Sequence, residues 1–388
     1  MKIKYNGVIL LLIIFMSLVI IPHTFAADNI TFDDLLSDDS YDFYFDSNAA
    51  HDHGDGSISN PYKTLKDERI LDNSRIHLAN GEYDFSQLKT HTNISFYGED
   101  ALKTIIKGND ATLVVNSNIV LKDISLLRIS IFNQGDLIAS NTIFANSTAT
   151  KIGSYSDSFG GAIYSSSPSY NVYLTNCTFI NNNADYGGAI YSTGGILQVV
   201  ECNFINNTAY RFGGAIAYNA DGLKGNVKIE KSKFLNNSAI KNAGGAIYLK
   251  HSTLNANDLN ISSSKATFGA ALTLIESNSN LNNIYLFNNS AKYEGGAVYQ
   301  IYGNITLSNS KFIDNSARNG GGLLIDGVEY ANVLDNTFTN NKADYYGGAF
   351  LSILINHTNI NRNNYLNNSA AYFNDYYDSG GRASGPGW

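Results

Sequence analysis

The chain has 388 residues, 26 Lys and Arg against 34 Asp and Glu, a formal charge of −8, and only 15% charged residues. Asn takes up the difference, with 51 copies. A hydrophobic content of 44% excludes disorder, and the acidic balance without a basic run excludes nucleic acid as the expected partner. Two cysteines exclude a disulfide-dense scaffold and a Cys-built zinc site, and one Trp argues against a Trp-based lectin pocket.

Residues 1–26 read as a signal peptide. Lys2 and Lys4 form a basic start, Val8 to Ile21 is a mainly apolar run, and Thr24-Phe25-Ala26 offers a cleavage site before Ala27. An uncleaved anchor is the alternative reading, but the run falls short of the roughly 20 residues a spanning helix needs. No later run is longer, so the mature chain is expected to be secreted or at the cell surface, without an integral membrane span. Residues 27–45 read as an acidic leader. From Phe45 the pattern predicts a short strand, a Gly/Asp loop over 54–56 and a brief helix opening at Pro61. Short β-rich pieces follow: Arg75–Leu78, Ile94–Tyr97, Thr104–Ile106, Leu113–Val115 and Ile119–Leu121.

From residue 144 the chain repeats itself. An aromatic or aliphatic residue leads, then x-Asn-Asn-x-Ala, then usually Gly-Gly-Ala-Ile-Tyr. The lead residues are Phe144, Phe179, Phe204, Phe234, Ile261, Leu286, Phe312, Phe338 and Tyr365, spaced 25 to 30 apart from Phe179 onward. The glycine pairs start at Gly160, Gly187, Gly213, Gly244, Gly295, Gly321 and Gly347, with Gly269-Ala270 as a degenerate copy. Such a period is too short for a propeller blade and carries no helical pattern. It fits one coil of three short strands joined by turns, with Asn and Gly where the chain must turn. Stacked in register about 4.8 Å apart, equivalent residues form columns. The predicted fold is therefore all-β: a single-stranded right-handed parallel β-helix of roughly a dozen coils over 46–378, with a short N-terminal capping segment and a Gly-rich tail at 379–388. Asn at the turns should hydrogen-bond the coils above and below.

These motifs resemble the Gly-Gly-Ala-Ile and Phe-x-x-Asn repeats of chlamydial polymorphic outer-membrane proteins. They are similar also to adhesin-like proteins of methanogenic archaea, which carry such repeats behind a signal peptide. Both look like members of the pectate-lyase-type right-handed β-helix superfamily, which contains lyases, hydrolases and pure binding scaffolds. The resemblance implies the fold, and supplies the word adhesin. The autotransporter barrel of the bacterial family is missing here, so its export route does not carry over. The last coil is expected to be covered by a partner chain or by the tail, or else the chain is a shortened relative.

Candidate chemistry is sparse. Asp185, Asp314, Asp326, Asp335 and Asp344 fall at scattered repeat positions, and no Gly-His-Gly or Arg-Ile-Lys motif of the polygalacturonase type is present. His51-Asp52-His53-Gly54-Asp55-Gly56 matches no zinc spacing and only part of a calcium loop; a turning loop is the favoured reading. Catalytic, cofactor and metal residues are thus not expected. Tyr164, Tyr191, Tyr248 and Tyr299 follow Ala-Ile or Ala-Val, and alternation points them outward. They form either a ligand-binding face or a stacked column that steadies the coil, broken at Ala217, Thr273 and Ile325. Cys177 and Cys202 share one slot in consecutive coils, within disulfide reach, so a bridge or a pair of buried thiols is expected there. Asn146, Asn176, Asn206 and Asn236 are among many Asn-x-Ser/Thr sequons. The functional expectation is a non-catalytic adhesin-like protein presenting a face to extracellular glycans or to a surface protein of another cell. A polysaccharide lyase or hydrolase on the same fold, and a passive envelope spacer, are the alternatives.

Overall fold

The computed structural model describes residues 40–85, 91–151, 156–220 and 225–380. The signal segment, most of the leader and the tail from 381 lie outside the described residues. The chain is an all-β, right-handed parallel β-solenoid of about 11 coils.

One coil shows how the sequence makes the turns. Val172–Thr175 runs to Asn176 at φ 51°, and Thr178–Ile180 runs to Asn181 at φ 55°. Asn183–Tyr186 then ends at Gly187, φ 61°, before Ile190–Ser192 closes the coil. Each corner is a left-handed residue. That conformation costs most side chains about 1–2 kcal/mol, and Asn tolerates it best. At Gly187 no side chain fits, because a Cβ would lie 2.0 Å from the Ile190 carbonyl oxygen. The coil therefore has four strand segments where the repeat suggested three, since the Asn after each lead residue adds a corner.

Equivalent segments pair in parallel into four ladders. The first is a 13-stranded sheet from Tyr41–Phe45 to His357–Asn361, so the solenoid begins inside the stretch expected to be leader. We call the others the Phe, Ala and Tyr ladders after their inward or signature residue. The Ala ladder has seven strands, from Asn183–Tyr186 to Lys342–Tyr346. The opening segment is capped by a loop and a 3-10 turn at Asp67–Arg69, rather than by a helix at Pro61. In the triple Gly320-Gly321-Gly322 the left-handed slot belongs to Gly320, φ 59°. Tyr299 consequently pairs with Leu324, and not with Ile325.

The interior is one continuous cluster from Phe45 to Phe350. Phe144, Phe179, Phe204 and Phe234 stack at 4.6, 4.7 and 4.6 Å, each pair worth about 0.5–1.5 kcal/mol beyond burial. Beside them runs a fully buried Asn column. Asn207 donates from Nδ2 to the Phe179 carbonyl (3.0 Å) and to Asn237 Oδ1 (3.1 Å), while its own Oδ1 accepts from the Asn182 backbone N–H (3.0 Å). Asn182, Asn289, Asn315 and Asn341 repeat the pattern. The second Asn of each pair thus satisfies the corner carbonyls that a buried turn would otherwise strand.

Candidate functional site

The Ala and Tyr ladders meet at the left-handed glycines, and the outward residues on either side of that corner face each other. On one side runs the column Phe159, Tyr186, Phe212, Ala243, Phe268, Glu294, Asn319, Tyr346 and Tyr372. On the other stand the expected tyrosines. They do lie outside the main core, but the facing column covers them: Phe159 is 5.3 Å from Tyr164, Phe212 4.5 Å from Tyr248 and Phe268 5.9 Å from Tyr299. Tyr186 meets Tyr191 edge-on at 6.1 Å. Tyr164, Tyr248 and Tyr299 are only 8–9% exposed, and burial pushes the Tyr248 hydroxyl up to about 12. The open face expected of Tyr164, Tyr191, Tyr248 and Tyr299 is therefore corrected: the four rings belong to an outer aromatic seam.

That seam is interrupted once by a carboxylate. Glu294 ends the strand Ser290–Glu294, in the slot that Phe268 fills one coil earlier, and is 7% exposed. Burial pushes its carboxyl up from the ordinary range; the Tyr299 hydroxyl donates to it and pulls the other way, Asp326 adds to the rise and Arg318 opposes it. The Tyr299 hydroxyl is raised in turn, by burial first and then by Glu294 and Asp326. Asn319, next in the column, is also buried, and its Oδ1 has no hydrogen-bond partner. Asp326 stands two residues past Leu324 in the Tyr ladder, pairing with Ile301. A buried carboxyl whose pKa is raised thus stands beside the Tyr299 hydroxyl, with the Asp326 carboxylate bearing on both. The sequence reading counted Asp326 among the scattered carboxylates and missed Glu294. The signal was present: aromatic residues precede the glycine corner in most coils, whereas Glu294 and Asn319 do so here.

The remaining candidates are placed as follows. Asp52 accepts from Arg69 (2.6 Å), Thr64 (2.9 Å) and Lys66 (3.2 Å), which hold its carboxyl well below the usual range. It clasps the capping loop, with His51 and His53 exposed. Asp185 binds Ser158, and Asp335 pairs with Arg362. Among the described residues no group of three or more His, Cys, Asp or Glu side chains could hold a metal. Cys177 and Cys202 are buried free thiols, not a bridge. The Cys177 N–H donates to Cys202 Sγ (3.4 Å), and Cys202 Sγ donates to the Val200 carbonyl (3.2 Å). Among the described residues no helix is long and apolar enough to cross a membrane.

A model of the Chlamydia polymorphic membrane protein repeat matches residues 176–193, 201–218 and 231–250. Each window runs from the corner before the Phe strand into the Tyr ladder. No curated protein sequence matches the chain. Among solved structures it is similar to a GH136 lacto-N-biosidase from Eubacterium ramulus, with 9% identity, TM-score 0.46, and 84% of this chain and 67% of that one covered. A mannuronic-acid-specific family 6 polysaccharide lyase from human gut microbiota gives 12% identity and TM-score 0.42, covering 76% and 78%. A PL6 alginate lyase in complex with a trisaccharide gives 12% and 0.43, covering 89% and 88%. The chain is a parallel β-solenoid that carries polymorphic-membrane-protein-type repeats over those three windows, and the archaeal adhesin resemblance is not reached by these matches. The expectation that the chain is not an enzyme is corrected here. The solved structures it is similar to include a hydrolase and lyases, so the scaffold gives no ground for a non-catalytic reading. At these TM-scores none of them carries a reaction or substrate over to this chain.

Proposed function

We propose that this protein is an exported, carbohydrate-directed β-solenoid that acts on glycan at the outer seam, with Glu294 as its acid–base group. The observation that supports the reading is the buried Glu294 carboxyl, raised by its surroundings and hydrogen-bonded to Tyr299, in the slot where the preceding coil carries Phe268. A carboxyl that keeps its proton can donate it to a glycosidic oxygen, and a second carboxylate in a different environment supplies the opposite role. Asp326 is the candidate for that second group, since it bears electrostatically on both Glu294 and Tyr299. The signal-like segment at 1–26 supports export, and a rod of stacked coils suits display at a cell surface.

The test is incubation with a panel of neutral and acidic polysaccharides, reading release of reducing or unsaturated ends. Release is expected from at least one of them, falling about 10²–10⁴-fold in Glu294→Gln, the range a lost general acid or base accounts for. Release that Glu294→Gln leaves untouched, or none from any polysaccharide, would overturn the proposal.

A further inference from the structure

The outer face of the first ladder changes character along the solenoid. The strand Gly225–Glu230 still carries charge, with Lys228 paired to Glu230 at 3.3 Å. The next five strands, from Ser252–Asn257 to His357–Asn361, contain no Asp, Glu, Lys or Arg. Leu254, Leu281, Leu307 and Val333 are buried on their inner side, so alternation turns Asn, Thr and Ser outward. The register is unbroken: Asn255 pairs with Asn280, Asn280 with Thr306, Thr306 with Asn332 and Asn332 with Asn359. Beside that column Asn257 pairs with Asn282, and Asn282 with Ser308. Coils rise about 4.8 Å, and outward positions along a strand recur about every 6.6 Å, so the columns make a grid. Asn255, Asn280, Thr306 and Asn359 are exposed.

The amides of the grid are held in place by one another. Asn280 Nδ2 donates to Asn255 Oδ1 (2.9 Å), Asn282 Nδ2 donates to Asn257 Oδ1 (2.7 Å), and Asn282 Oδ1 accepts from Ser308 Oγ (3.1 Å). A primary amide has two N–H groups and two carbonyl lone pairs. The bond between Asn280 and Asn255 uses one N–H and one lone pair, so further donors and acceptors face outward, already oriented. A face without charge attracts neither a polyanion nor a polycation. Depletion of charge is also what marks the centre of a binding interface.

We propose that this grid docks an uncharged polysaccharide of N-acetylated amino sugars, presented as aligned chains in a solid array. An acetamido group carries one N–H and one C=O, and in aligned chains it stacks on its copies through amide hydrogen bonds. A bond of about 2.9 Å from N to O sets a repeat of about 4.8 Å between stacked amides, the rise from coil to coil. Rows of acetamido groups therefore continue the rows of Asn, whereas a glycan bearing hydroxyls alone has no amide to match them. The proposal goes beyond the seam reading and does not rest on it. It concerns attachment on a different ladder, where no bond of the glycan is broken.

The test is retention of the intact protein on particulate chitin, with cellulose as the neutral array that lacks acetamido groups. Retention on chitin about tenfold or more above that on cellulose is the expected result. It should hold from about 0.1 M to about 1 M salt, because no charge takes part. Asn280→Lys combined with Thr306→Lys sets two charges in the middle of the grid and should cut retention by about tenfold or more. Both residues are exposed, so the circular dichroism spectrum should be unchanged, and Thr306→Lys alone serves if the pair unfolds. No retention on chitin, or equal retention on cellulose, overturns the proposal. So does binding lost at high salt, or binding that the substitutions leave intact. Self-association by sedimentation that the substitutions abolish would make a second copy the occupant and overturn it as well. Each of these failures leaves the Glu294 reading standing, since that reading is tested by release of sugar ends.

Discussion

Between the first-ladder strands Ile119–Lys122 and Leu137–Ser140 the register advances from Ile119 to Leu137; between Val172–Thr175 and Ile196–Val200 it advances from Val172 to Leu197. The longer coil is longer by one side. In the early coils a single strand serves two ladders: Ser125–Asn133 pairs through Ser125 with Ile143 and through Ile131 with Ile163. Its only internal corner is Arg128, at φ 57°, ion-paired to Asp110 of the preceding coil. In the repeat coils the Asn-Asn-x-Ala segment opens that corner into a separate strand. The added side creates two features that the early coils lack: the buried Asn column and the long aromatic seam. The seam chemistry, in this reading, sits on the insertion, while the shared ladders close the coil.

The sharpest way to break the comparison is to remove the Asn column where it is complete. Asn207→Leu would strand the Phe179 carbonyl and the Asn182 N–H in the core. At about 1–3 kcal/mol for each buried group left without a partner, the loss should reach about 3–5 kcal/mol. Denaturant titration measures it, and a loss below about 1 kcal/mol would mean that the column is decorative.

The seam gives the next effect, and its sign is fixed by pH. The folded state raises the Glu294 carboxyl, so it holds that proton more tightly than the unfolded chain does. The associated stability is present below the ordinary carboxylate range and is lost as pH rises through the raised value. Glu294→Gln cannot ionise. Its stability relative to the unaltered protein should therefore improve as pH rises from the ordinary carboxylate range through the raised value. Parallel melting-temperature curves for the two proteins would show that the carboxyl is not perturbed. Repairing the one polar gap in the Asn column should be a smaller change. Ser264 occupies an Asn slot, is fully buried and has an unpartnered Oγ. Ser264→Asn would restore the links toward Asn237 and Asn289, for a gain of about 1 kcal/mol.

The repeat region was legible because its spacing is nearly constant and each column repeats one residue type. Phe on Phe and Asn on Asn follow from period and register alone. The seam was not legible, for a physical reason. Alternation says that Tyr299 leaves the core, but whether water or Phe268 meets it depends on the angle at the glycine corner. The same limit hid the fourth strand, because a left-handed Asn looks in sequence like any turn residue. In the early coils Arg128 takes the left-handed corner, a residue type that gives no such signal.

The smallest expected effect concerns the cysteine slot, where a near-silent substitution carries information. Cys202 accepts the Cys177 N–H and donates to the carbonyl two residues back. Ser232 does both jobs one coil on, accepting the Cys202 N–H at 3.1 Å and donating to the Glu230 carbonyl at 2.7 Å. Cys202→Ser should therefore change stability by less than about 1 kcal/mol, since hydroxyl and thiol fill the same role. A disulfide would make the same substitution expensive, because opening a loop of this length costs about 3 kcal/mol in the chain-entropy account. Denaturant titration of Cys202→Ser under non-reducing conditions separates the two. Alkylation of the denatured protein without reductant should modify both thiols. A large loss together with unmodified thiols would establish the bridge, and would make the slot a covalent tie between coils rather than one more rung of hydrogen bonds.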